Sequence, residues 1–128
     1  MNCLDTSALV DYLHGEESIA TFLQENEQRP LFAPTVALHE VFVGGARLRG
    51  EGGIEDTRED LEWVEPLELS ADSAAEAALI GAELHDAGAD IGPMDVLIAG
   101  TVRNAGGTIV TADDHFERVD GLDLHQYR

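Results

Sequence analysis

The chain has 128 residues, 26 of them acidic and only seven basic, for a formal net charge of −19. All seven basic residues are arginines and there is no lysine. This excludes lysine-dependent phosphate loops, so the glycine-rich stretch 44–53 is not one. It also excludes Schiff-base chemistry and a basic nucleic-acid-binding face.

Residues 2–4 read as a first strand running into Asp5-Thr6-Ser7, a helix-start signal, with a helix over 8–13. A second helix is expected over 16–26, with Ile19, Phe22 and Leu23 on one face. Residues 31–33 form a short apolar strand, Pro34-Thr35 a helix start, and 36–48 a helix. The segment 51–68 holds eight acids and one arginine, which predicts a solvated helix leading to a strand near 64–67. An alanine-rich helix over 71–87 can pack closely. Residues 95–103 are apolar all round and predict a buried helix. A β-branched strand follows at 108–111, then a helical turn at 113–118 and a last strand at 122–124. Alternating strands and helices predict an α/β fold, one domain over 1–128, with a parallel sheet covered on both faces. In such sheets function lies outside the carboxyl ends of the strands, which directs attention to Asp5, Pro34–Thr35 and 111–114.

With 44% hydrophobic residues in periodic segments, the acidity does not signal disorder. It reads as a surface adapted to very high salt, of the halophilic kind, where a Debye length of about 3 Å at molar salt screens self-repulsion. The single cysteine, Cys3, suits a reducing cytoplasm and is expected to pack in the first strand. No membrane span or signal peptide is apparent, so a cytoplasmic protein is expected.

Four acids fit poorly on a solvated surface. Asp5 follows the first strand; it either caps the next helix, a job Thr6 or Ser7 could also do, or serves a site. Glu40 shares a helical stripe with Val36 and Val43, where an unpaired carboxylate is costly unless it reaches solvent or a partner. Asp95 continues the apolar face of Ala99 and Val102, or simply favours the helix dipole. Asp113 follows the β-branched strand, with Asp114 beside it as a substitute. Together they are tolerable in one cleft if divalent cations bind there. Hard oxygen ligands select Mg²⁺ or Mn²⁺, and such sites serve phosphoryl chemistry.

LDTSALVDYL (4–13), ALHEVFVGG (37–45), GPMDVLIAG (92–100) and VTADDHFERV (110–119) resemble, in order and spacing, the four acidic motifs of the PIN-domain family, and most closely its VapC-type toxins. The resemblance covers essentially the whole chain. It implies a three-layer α/β/α fold with a short, mainly parallel sheet, and a Mg²⁺- or Mn²⁺-dependent endoribonuclease that cleaves phosphodiesters with metal-activated water. It implies Asp5, Glu40, Asp95 and Asp113 as the acidic site, with Asp5, Asp95 and Asp113 binding the metal and Glu40 ligating it or orienting a water. Ser7 and Thr111 match the supporting positions, Phe116 the packing aromatic, and Asp114 takes the place of Asp113 if the motif shifts by one. Partners implied are an RNA substrate, an antitoxin covering the first helices through Tyr12, Leu13, Phe22 and Leu23, and a second copy in a homodimer or larger assembly. Arg47 and Arg49 either hold RNA phosphates or solvate the helix end. Without a basic patch, cleavage is expected to need high salt. Two other functions stay open: a housekeeping nuclease of RNA maturation, and an inactive metal- or RNA-binding module, against which the complete acid set counts. His39-Glu40 lacks the second histidine of a zinc-protease motif, and the remaining histidines show no ligand spacing, although His115 could approach substrate.

Overall fold

The computed structural model describes residues 1–128. Five strands, β1 (Asn2–Leu4), β2 (Leu31–Pro34), β3 (Glu65–Leu67), β4 (Thr108–Thr111) and β5 (Asp123–Gln126), form one sheet in the order β3-β2-β1-β4-β5. Every pairing is parallel. The helices are α1 (Thr6–Leu13), α2 (Glu17–Glu25), α3 (Thr35–Arg49), α4 (Glu51–Asp60), α5 (Ala71–Asp86) and α6 (Pro93–Asn104), with a 3₁₀ turn at His115–Arg118 before β5. The expected α/β architecture is the one observed, with a sheet that is parallel throughout.

The central strands follow from their composition. β1 and β4 are covered on both faces, so Cys3, Leu4, Ile109, Val110 and Thr111 are all fully buried, as parallel strands under helices require. Burial raises the Cys3 thiol to about 11, which keeps it an inert packing group. The edge strands carry Glu65 and Pro66 on one side and Asp123 on the other, and such residues discourage further strand addition.

Connections from β1 to β2 and on to β3 step one way across the sheet, whereas β4 connects to β5 the other way. β1 and β4 are neighbours at this reversal, and the crevice outside their carboxyl ends is where such sheets bind ligands. Asp5 leaves β1 there, and Thr111 to Asp113 leave β4 there.

Four expectations shift. The first helix begins at Thr6, not at residue 8, because Asp5 itself caps it. The helix expected over 95–103 starts at Pro93, whose fixed φ suits a first helical position. It is fully buried only from Ile98 to Val102, and Met94 is 42% exposed. The last strand runs one to two residues later than expected. Phe22, expected on a partner-binding face, is a core residue stacked on His125 at 5.0 Å. Ile19, three residues earlier on α2, is buried with it, so the stripe read as a docking face is partly the core stripe.

Two helix pairs depend on missing side chains. Gly100 of α6 lies on Ala77 of α5, and Gly53 of α4 lies on Gly45 of α3; a Cβ on Gly53 would come within 1.9 Å of the Gly45 carbonyl oxygen. Gly44, one residue along, meets nothing within 4 Å. Gly53→Ala is therefore expected to destabilise the fold by about 1–3 kcal/mol through forced helix separation. Gly44→Ala is expected to stabilise it by about 0.5–1 kcal/mol through reduced unfolded-state freedom. Urea melts of the two variants check the opposite signs.

Candidate active site

Asp5 sits where β1 ends and α1 begins. Its backbone N–H continues the sheet ladder, donating to the Val110 carbonyl at 3.1 Å. Its carboxylate caps α1, accepting at Oδ1 from the Ala8 N–H at 2.9 Å. Ser7 Oγ donates to the same oxygen at 2.7 Å, and Thr111 Oγ1 donates to Oδ2 at 2.5 Å. The residue is only 2% exposed, and no buried side-chain nitrogen or oxygen is without a partner. Capping and membership of an acidic cluster, alternatives in the sequence, are held by one carboxylate.

The two hydroxyls also fix the loop after β4. Ser7 Oγ accepts from the Ala112 N–H at 3.0 Å, and Thr111 Oγ1 accepts from the Asp113 N–H at 2.9 Å. Donor and acceptor capacity of each hydroxyl is thus split between Asp5 and the loop that carries Asp113. Glu40 reaches the same region from α3, its Oε1 accepting from Thr6 Oγ1 at 2.7 Å. Thr6 entered the sequence reading only as a helix-start residue, and nothing in the pattern pointed to this contact. Asp95 lies in the first turn of α6, with His115 Nδ1 3.6 Å from its Oδ2. His115, given a minor place by the sequence, is therefore beside an acid of the cluster.

The electrostatics join these groups into one cluster. Burial pushes the Asp5 carboxyl up from its ordinary 3.8 to about 6; the bonds from Thr111, Ser7 and Ala8 oppose this and the charge of Asp113 adds to it. Asp95 is also raised, first by burial, against the stabilising contact with His115, and further by the charges of Asp113 and Glu40. Asp113 thus acts on both Asp5 and Asp95. Asp114 is exposed and is not among the main causes of either shift, whereas Asp113 is among those of both.

The donor set is all carboxylate and hydroxyl oxygen, the chemistry that hard divalent cations take. Burial first, and then repulsion from Asp113 and, at Asp95, from Glu40, raises these carboxyls, and a bound cation would favour their charged forms. No three of the carboxylate, histidine or cysteine groups are drawn close enough to ligate one ion as they stand, so filling such a site requires side-chain movement. The arginines are not part of the cluster. Arg47 and Arg49 lie in the last turn of α3, about 10–14 Å along the helix from Glu40, both exposed, and Arg49 is paired with Asp56 of α4. Phe116 is a buried core residue, as expected. His39 is exposed, with no histidine partner.

A family model described as the PIN domain matches residues 3–122. No curated protein matches the chain. Among solved structures, the chain is similar to one in VapBC2 from Rickettsia felis, bound to a DNA fragment from its promoter (TM-score 0.88, 23% identity, covering 97% of this chain and 96% of that one). It is similar to one in DNA-bound VapBC from Salmonella typhimurium (TM-score 0.87, 25% identity, 99% and 98%). VapBC-1 from nontypeable Haemophilus influenzae gives a TM-score of 0.85 at 17% identity over 98% and 97%.

The raised Asp5 carboxyl has a consequence for stability. Between about pH 4 and 6 the native state holds a proton that the unfolded chain has already lost. Stability from this group is therefore full below pH 4 and is lost as pH rises through about 6, a cost of about 3 kcal/mol at neutral pH. Asp5→Asn keeps a capping oxygen for Ala8 and removes the buried charge. In metal-free buffer its melting temperature is expected to exceed the wild type's at pH 7.5 by about 5 °C or more, with the difference vanishing near pH 4. A variant destabilised equally at both pH values would contradict this.

Proposed function

Because the chain belongs to the PIN-domain family and shares its fold with chains of VapBC toxin–antitoxin complexes, we propose that it is the ribonuclease toxin of a type II toxin–antitoxin pair, cutting RNA phosphodiesters with Mg²⁺ or Mn²⁺. What supports this is the bond of Asp5 to Thr111 and, through it, to the loop that carries Asp113, with Glu40 bonded to Thr6 next to Asp5 and Asp95 feeling the charges of Asp113 and Glu40. Asp5, Asp95 and Asp113 supply the negative charge that holds the cation, and Ser7 and Thr111 fix the position of Asp5 through two hydrogen bonds. A divalent ion bound there supplies the charge that polarises the phosphodiester and lowers the pKa of a water. Glu40 gives Oε1 to Thr6, so its Oε2 would be available to orient an attacking water and accept its proton. The product ends are a 5′-phosphate and a 3′-hydroxyl.

The acidic surface repels RNA at low salt and is screened at molar salt. Cleavage is therefore expected to rise with KCl, the reverse of the usual loss of nucleic-acid affinity. An antitoxin partner is supported by the face of α1 and α2. Tyr12 and Trp63 meet edge to face at 4.8 Å, and with Leu23, Arg29 and Pro30 they line a cleft of about 340 Å³. Tyr12, Leu13 and Leu23 are half-buried, so they remain available to such a partner where Phe22 does not.

The test is RNA cleavage in molar KCl with Mn²⁺ or Mg²⁺ by antitoxin-free protein. Asp5→Asn, Asp95→Asn and Asp113→Asn are each expected to lower the rate more than about a hundredfold, beyond what losing an outer hydrogen-bond partner costs. Thr111→Val, which removes such a partner, is expected to lower it about ten- to a hundredfold. Asp114→Asn is expected to cleave like the wild type. No cleavage by the wild type would remove the reading, and a fully active Asp5→Asn would remove the site.

A further inference from the structure

The last two residues of the chain form a cluster outside the four acids. The Tyr127 hydroxyl donates to Asp11 Oδ2. Arg128 donates to the same carboxylate from Nε at 2.8 Å and from Nη2 to Oδ1 at 3.3 Å. Asp11, on the last turns of α1, is 14% exposed, so this carboxylate is fully engaged within the protein. Arg128 holds it below the usual carboxylate range, with help from Tyr127. On its other side, the backbone N–H of Tyr127 donates to the Thr111 carbonyl at 3.2 Å. Thr111 is the residue whose hydroxyl holds Asp5 Oδ2.

Tyr127 therefore bonds at once to α1 and to the end of β4, the two elements that meet at Asp5. Burial, the bond to Asp11 and the charges of Asp11 and Asp5 all raise the phenol, so it stays a donor at neutral pH. We propose that Tyr127, anchored through Asp11 and Arg128, is a positioning residue that sets the spacing between α1 and the end of β4, and so the alignment of Asp5, Ser7 and Thr111. It touches neither RNA nor a cation. Its effect on cleavage rests on the ribonuclease reading; its effect on geometry does not.

Tyr127→Phe keeps the ring and removes the donor. Amide hydrogen exchange reads the geometry without reference to activity. The amides of Ala8 and Ala112, bonded to Asp5 and Ser7, are expected to exchange about fivefold faster, as loss of one hydrogen bond implies. Amides in the buried part of α6 should be unchanged. In the cleavage assay kcat is expected to fall about tenfold at constant KM. Asp11→Asn should behave alike, and the double variant should be no worse than either single one. Unchanged exchange at Ala8 and Ala112 would overturn the proposal, as would equal acceleration throughout α6. Kinetic losses that add in the double variant would overturn it too. If the wild type cleaves nothing, the ribonuclease reading fails and the exchange result alone decides the brace.

Discussion

The molecule turns on the burial of one carboxylate. Asp5 is almost wholly removed from water, a costly position for a charge unless it is fully hydrogen-bonded. Its partners come from two places in the chain: Ser7 and Ala8 from the adjacent turn, and Thr111 from a strand 106 residues away. The pairing of Leu4 with Val110 puts Thr111 level with Asp5. A slip of one residue would place a valine or an alanine there and turn the hydroxyl away. The site therefore exists only when β1 and β4 are in register, and the sheet and the acidic cluster form as one unit. The residual cost is visible in the raised Asp5 carboxyl. It is strain of the kind that functional sites keep and the rest of the fold offsets.

The remaining acidity has a different character. It is concentrated on α4, the edge strands and the outer faces of helices, where the carboxylates are exposed. Arginines answer some of it: Arg49 on Asp56, Arg103 on Glu76 and Arg128 on Asp11. Of these, the exposed Arg49–Asp56 pair adds at most about 1 kcal/mol. The layers are held instead by the apolar core and by close approach at Gly45–Gly53 and Gly100–Ala77. Most of the charge lies on this exposed surface, whereas the candidate site draws on Asp5, which is buried, and on three acids that are only partly exposed.

Much of this was legible in the sequence because the signals were local. Short β-branched or apolar runs gave the central strands, and Asp5, Glu40, Asp95 and Asp113 stood out as acids next to strand ends or on apolar helix faces. What the sequence left ambiguous depends on distant contacts. Whether Asp5 capped α1 or joined a cluster had no single answer, since its two oxygens do both. Phe22 read as a docking residue because periodicity marks an apolar face without saying what covers it, and β5 with His125 covers it. Thr6 on Glu40 and Tyr127 on Asp11 left no trace in local pattern, being bonds across 34 and 116 positions. What separates Asp113 from Asp114, partial burial and a charge felt by Asp5 and Asp95, depends on the turn after β4 and not on local pattern.

The central claim is that these four carboxylates are gathered to hold a divalent cation. Calorimetric titration of Mn²⁺ into the protein in molar KCl at pH 7.5 tests it most directly. The account predicts saturable binding by the wild type and by Asp114→Asn, and its loss in Asp5→Asn and Asp95→Asn while both variants remain folded. Equal binding by the wild type and Asp5→Asn would contradict it, as would no binding by the wild type.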